Sequence, residues 1–316
     1  MPKSKITLKS KTKGTKLAYT FISDILFKMF FVKHPELLKR LIAVLLSIPL
    51  ESIEHFQIIN TEMPAEEIDK KFCRLDIHMI VNGSKVNLEI QVENQGDYIE
   101  RSMFHWAKMF ASALPAGDDY SRLPQAIVIS ILDFALFDCK EVHSQFAVME
   151  TNRHEILSDK QYYHFFELSK MPNIDFIDTT SERDLWLALF NAKTEEELKK
   201  LKTCGGELMG KAIEAYNGIT ATEEFRYLHW LRERTKHDEA QALYNAKRLA
   251  TQAERQKWQG IVAEKDTAFA QTLAEKDTAF TQTLAEKDTA LAEKDTTIAE
   301  KDALIAELMA ERSRSN

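Results

Sequence analysis

Residues 75–94 read LDIHMIVNGSKVNLEIQVEN, two alternating runs joined by Asn82-Gly83. Asn-Gly is the strongest short-range signal for a two-residue hairpin, because both central residues of that turn need positive φ. Closing the turn between Val81 and Ser84 gives each residue before it one partner after it, and Asp76 then faces Glu89. Alternation sorts the faces. Leu75, Ile77, Met79, Val81, Val86, Leu88, Ile90 and Val92 point toward a core, while Asp76, His78, Asn87, Glu89, Gln91 and Glu93 point the other way. A slip of one residue would bury the carboxylates, so the register is strongly specified.

Side chains in directly opposed positions stand ~5 Å apart, and two carboxylates at that range repel by about 3 kcal/mol at an effective dielectric near 20. A shared proton, which raises one pKa, relieves this; so does a cation. The neighbours on that face are Gln91, Asn87 and His78, so a hard divalent ion with oxygen ligands, Mg²⁺ first, is the economical answer. The alternative is a solvated polar face whose charges diverge into water.

Outward from the hairpin, residues 17–180 read as one α/β unit. Ile22, Ile25, Leu26, Met29 and Phe30 form one apolar helix face, and a second helix covers 36–47, with Pro35 suited to its first turn and Pro49 beyond its end. Strands are expected at 55–63, 72–81 and 84–93. A helix follows at 98–114, with Ile99, Met103, Trp106, Phe110 and Ala113 along its apolar seam and Arg101, His105 and Lys108 on the opposite side. The apolar run 125–132 suits a central strand covered on both faces, and two more strands are expected near 142–150 and 162–169. The order is ααβββαβ with two further strands.

Residues 181–260 turn helical and more polar, with breaks expected at Gly205-Gly206 and Gly218, and read as a small helical region. Residues 261–316 carry near-copies of AEKDTAFAQTL (eleven residues) and AEKDTAL (seven), both compatible with a helix that keeps one face in register. Each seven-residue copy offers one large apolar residue where a coiled coil wants two. Self-association as a homo-oligomer and a monomeric helical spacer both stay open. Residues 1–16 hold six lysines and no acid, against a net charge of −7 for the chain, and read as a disordered basic arm.

Apolar residues make up 44% of the chain, enough for a core, and no apolar run approaches the length of a membrane span. Cys73, Cys139 and Cys204 are scattered and odd in number, which excludes a disulfide framework and favours the cytoplasm. No secretory h-region follows the basic start. Neither a phosphate-cradling glycine loop nor an H-E-x-x-H pair is present.

FISDILFKMFF (21–31), the hairpin 75–94, the helix with Tyr98, Arg101 and Trp106, the segment from Gly117 to Tyr120 and the strand after Pro124 together resemble the recombination-promoting nuclease (Rpn), or putative transposase, family of bacterial PD-(D/E)XK nucleases. The resemblance covers about 17–170, more loosely to about 250. It implies a restriction-endonuclease-like αβββαβ core, with a mixed sheet flanked by helices, that agrees with the element order read above. It further implies Mg²⁺, or another divalent ion such as Mn²⁺, held by Asp76 and Glu89. Asp24 on the first helix is then a candidate third ligand, although Lys28 one turn on also makes it an ordinary i,i+4 pair. Gln91 stands where the superfamily has lysine and would position the attacking water through its amide. Lys28, Arg101, His105 and Lys108 become candidate phosphate contacts.

The activity so implied is metal-assisted hydrolysis of DNA, double-stranded by preference, in recombination or a mobile-element process in the bacterial cytoplasm or nucleoid. The competing reading is a nuclease fold that has become a DNA- or protein-binding module.

Overall fold

In the computed structural model the described residues are 14–60, 76–94, 96–114 and 117–314. Residues 1–13 of the expected basic arm, Cys73, Leu75 and the first residues of the strand expected at 72–81 lie outside them. The last residues expected in that arm, 14–16, are built into the fold: Lys16 bridges Thr194, and the Glu195 N–H donates to the Thr15 carbonyl at 3.0 Å.

Helices α1 (Asp24–Lys33) and α2 (Pro35–Leu45) precede strands β1 (Phe56–Ile58), β2 (Ile77–Val81) and β3 (Ser84–Gln91). Helix α3 (Tyr98–Ala111) leads into β4 (Ala126–Leu132), followed by β5 (His143–Ala147) and β6 (Gln161–Glu167). The strands form one mixed sheet in the order β1-β2-β3-β4-β6-β5. β1, β2 and β3 run antiparallel, β4 is parallel to both β3 and β6, and β5 closes the edge antiparallel to β6. This is the mixed α/β sheet flanked by helices that the resemblance implies, followed by further helices.

The hairpin register is the expected one: Val81 pairs Ser84, Met79 pairs Val86 and Ile77 pairs Leu88. Asn82 and Gly83 have φ of 48° and 84°, the two positive values that an Asn-Gly turn tolerates. Asp76 falls just before β2, on the extension of that register toward Glu89.

Each sheet face has its own core. Ile77, Met79, Val86, Leu88, Ile129 and Ile131 pack with α1, α2 and the later helices α4 (Glu182–Asn191) and α6 (Gly206–Thr220). Val128, Leu132, Tyr163 and Phe165 face Tyr98, Trp106 and Met109 of α3. Burial of α1 goes beyond one apolar face, because every residue from Ile25 to Phe31, Lys28 included, is enclosed.

A packing break near 180 is absent. Trp186 and Phe190 of α4 stack within the same core as Phe30 and Phe31. Helix α5 (Glu195–Cys204) opens on a capping box at Thr194 and Glu197 and ends at Gly205, as expected, whereas Gly218 lies inside α6. Contacts divide the chain into residues 1–239 and 240–316. A single helix, α7 (Glu223–Arg314), contributes its first residues to the former and makes up the described part of the latter. Among the described residues, no helix is long and apolar enough to cross a membrane.

Candidate metal centre

Asp76 is presented by a short brace. The Asn60 amide donates to the Asp76 carbonyl at 2.8 Å, and its side-chain oxygen accepts from the His78 N–H at 2.7 Å. This bracket stands in for ladder pairing at the mouth of β2. His78 Nε2 is 3.3 Å from Asp76 Oδ2. Burial pushes the Asp76 carboxyl up, but the hydrogen bond and charge of His78, the Asp76 backbone and the charge of His105 together bring it below the ordinary carboxylate range. Asp76 is therefore an anion in the folded protein.

Glu89 lies on β3, paired with Ser130 of β4, under the face covered by α3. Its Oε1 accepts from the Tyr98 hydroxyl. Its Oε2 is 3.8 Å from His105 Nδ1 and 4.0 Å from Arg101 Nη2. Donor atoms of Asp76, Glu89 and His105 all lie within 4.8 Å of one another. Two carboxylates and an imidazole at that separation suit one divalent ion, with water completing its shell.

α3 overturns one sequence expectation. The apolar seam Ile99–Met103–Trp106–Phe110 is expected opposite an Arg101–His105–Lys108 side that lines a substrate groove or faces solvent, and of that seam Trp106 does pack on the sheet. Yet Tyr98, Ser102 and His105 are buried against the sheet, while Ile99, Met103 and Phe104 are exposed. The physical reason is the sheet face beneath: Glu89 of β3 is buried there, and a carboxylate under a helix needs polar partners on it, which Tyr98 and His105 supply. His105 is thus placed inside the acidic cluster rather than along an open groove. Arg101 reaches Glu89 from the border of α3, with its guanidinium also 5.9 Å from the Tyr98 ring centroid. Lys108 stays on the exposed side.

The other candidates are placed elsewhere or pointed elsewhere. Asp24 Oδ2 accepts from Arg232 Nε at 2.8 Å, with Lys236 Nζ 3.8 Å from Oδ1, so the acid ties α1 to the start of α7 and is not in the cluster of possible ligands. Lys28 is buried in the wall of α1 and is not presented as a surface phosphate contact. Gln91 is at the last position of β3, its amide donating to the Glu93 carbonyl at 3.1 Å.

Three contributors carried no assigned role in the sequence reading: Asn60, Tyr98 and His78. The signal for Tyr98 was available, since Tyr98, Arg101 and His105 follow at i, i+3 and i+7 and share a helical face. Asn60 had none, because its bracket depends on where β1 ends.

No curated protein and no solved structure matches the chain. A model of the family described as PD-(D/E)XK nuclease family transposase matches residues 21–246, which takes in the hairpin, the whole sheet and the helices through the first part of α7. PD-(D/E)XK nucleases act on nucleic acid with divalent metals, and the Asp76, Glu89 and His105 donor set fits such an ion. On that match, spanning well over half its length, the chain belongs to the PD-(D/E)XK nuclease family transposases.

Proposed function

We propose that this protein is a divalent-metal-dependent endonuclease that hydrolyses DNA phosphodiester bonds, on double-stranded substrate, in recombination or mobile-element processes within the bacterial cytoplasm. The observation that carries the reading is the convergence of Asp76, Glu89 and His105 at the mouth of the β2–β3 hairpin. Asp76, Glu89 and His105 would hold the ion. Mg²⁺ or Mn²⁺ bound there would lower the pKa of a water and polarise a phosphate oxygen. His78 keeps Asp76 anionic, and Arg101 offers a guanidinium beside Glu89 for the substrate phosphate. Gln91, at the strand end, would have to turn its amide from the Glu93 carbonyl to orient water, and it supplies no charge.

An imidazole among the donors makes the set softer than two carboxylates alone, so Mn²⁺ is the better probe and Mg²⁺ the physiological candidate. His78, His105 and Arg101 all stand within 4.0 Å of the two acids, so the carboxylates have polar partners besides a metal. That compensation is what the competing, non-catalytic reading would use.

Supercoiled plasmid incubated with the purified chain and Mg²⁺ or Mn²⁺ distinguishes the two. The expected result is nicked and linear product, its loss with a chelator, and at least a hundredfold slower cleavage by Asp76→Ala and by the near-isosteric Glu89→Gln. Plasmid that is bound but stays intact with either ion, or is cut equally by both folded variants, contradicts the assignment.

A further inference from the structure

The two oxygens of Glu89 have different surroundings. Oε1 accepts the hydroxyl of Tyr98, while Oε2 looks toward Arg101 and His105. The tyrosine itself has little freedom. It is the first residue of α3, 2% exposed, and its ring meets Phe134 and Phe165 edge-on at centroid distances of 5.9 and 6.4 Å. Its carbonyl accepts the Ser102 hydroxyl at 2.9 Å one turn later.

A glutamate ligand has three rotatable bonds, and an ion gains from a carboxylate whose plane is already set. The geometry points to Tyr98 as a positioning residue for this centre: its hydroxyl ties down Glu89 Oε1, so that Oε2 is the oxygen presented toward His105. The inference rests on the proposed metal-binding role of that cluster. It adds that α3 sets the site from its first turn, with Tyr98 orienting a ligand and His105, two turns on, supplying one.

The test uses full-length protein and Mn²⁺ binding followed by electron paramagnetic resonance, without DNA. Tyr98→Phe keeps the ring and removes only the hydroxyl. The expected result is a wild-type-like folded circular dichroism spectrum with Mn²⁺ affinity weakened about 10- to 100-fold, the usual effect of losing a group that orients a ligand. Phe165→Leu serves as the packing control: it disturbs the ring's surroundings, leaves the hydroxyl, and should lower the melting temperature with affinity changed less than threefold. Plasmid cleavage by Tyr98→Phe should recover toward the wild-type maximum as Mn²⁺ is raised, a shift in the metal half-saturation point rather than in the limiting rate. Wild-type affinity in Tyr98→Phe, or equal weakening in Phe165→Leu, overturns the positioning role while leaving the site intact. Absence of binding by the wild type, or equal binding by Asp76→Ala, overturns the site assignment and this inference with it.

Discussion

Asp76 and Glu89 remain close because histidines and an arginine have been brought to them, and most of those come from outside the hairpin. His78 is on the same strand as Asp76, but His105 and Arg101 arrive from α3. The facing of the two acids was legible because an Asn-Gly turn leaves little choice of register. Their compensation was not, because it depends on which side of α3 meets the sheet. Another titrating pair lies at the far edge of the sheet: His164 Nδ1 and His143 Nε2 are 3.1 Å apart, and burial lowers His164 to about 4. An unfolded histidine titrates near ~6.5, so between those values the unfolded chain binds more protons and stability rises with pH. Acidification from pH 7 to pH 5 should therefore cost about 2 kcal/mol through His164. Urea unfolding at both pH values, for wild type and His164→Gln, checks this; an equal pH slope in the two proteins would remove the buried neutral histidine from the account.

Secondary elements differ in how far their own residues determine their orientation. β4 is buried at every position, Ser130 included, and its nearly all-apolar run foretold this. α3 has a clear amphipathic pattern, yet what it covers is partly polar, so the rule that apolar residues face inward fails for Ile99 and Met103. α7 beyond residue 240 is the opposite case, where nothing among the described residues of its unit covers the apolar stripe. Val262, Phe269, Leu273, Phe280, Leu284 and Leu291 are all exposed. At 100° per residue they, with Ile298 and Ile305, keep within an arc of about 60° despite the change of repeat length. Self-association along that arc is our proposal for this unit, weakened by lysines (Lys287, Lys294, Lys301) at its edge. Leu291→Lys with Ile298→Lys should lower the sedimentation-equilibrium mass of the full chain to that of a monomer and leave plasmid cleavage per molecule within about twofold. A wild-type chain already monomeric at tens of micromolar would contradict the proposal.

At the scale of the whole chain, the order of elements was readable because strand alternation, helix periodicity and turn residues agree along residues 17–170, while the mixed sheet came from the family resemblance. The boundary expected near 180 from the change in composition is absent, since α4 and α6 supply Trp186, Phe190 and Met209 to the core already begun by α1. Asp24 shows the same limit: its partner Arg232 is 208 residues away, and no local spacing announces it. The central claim is that one divalent ion is held between Asp76, Glu89 and His105. Anomalous diffraction from crystals soaked in Mn²⁺ tests it most directly. A single strong peak is expected at about 2.2 Å from a carboxylate oxygen of each acid and from a ring nitrogen of His105. A fully occupied Mn²⁺ bound elsewhere, with this cluster still bridged only by its own side chains, would contradict it.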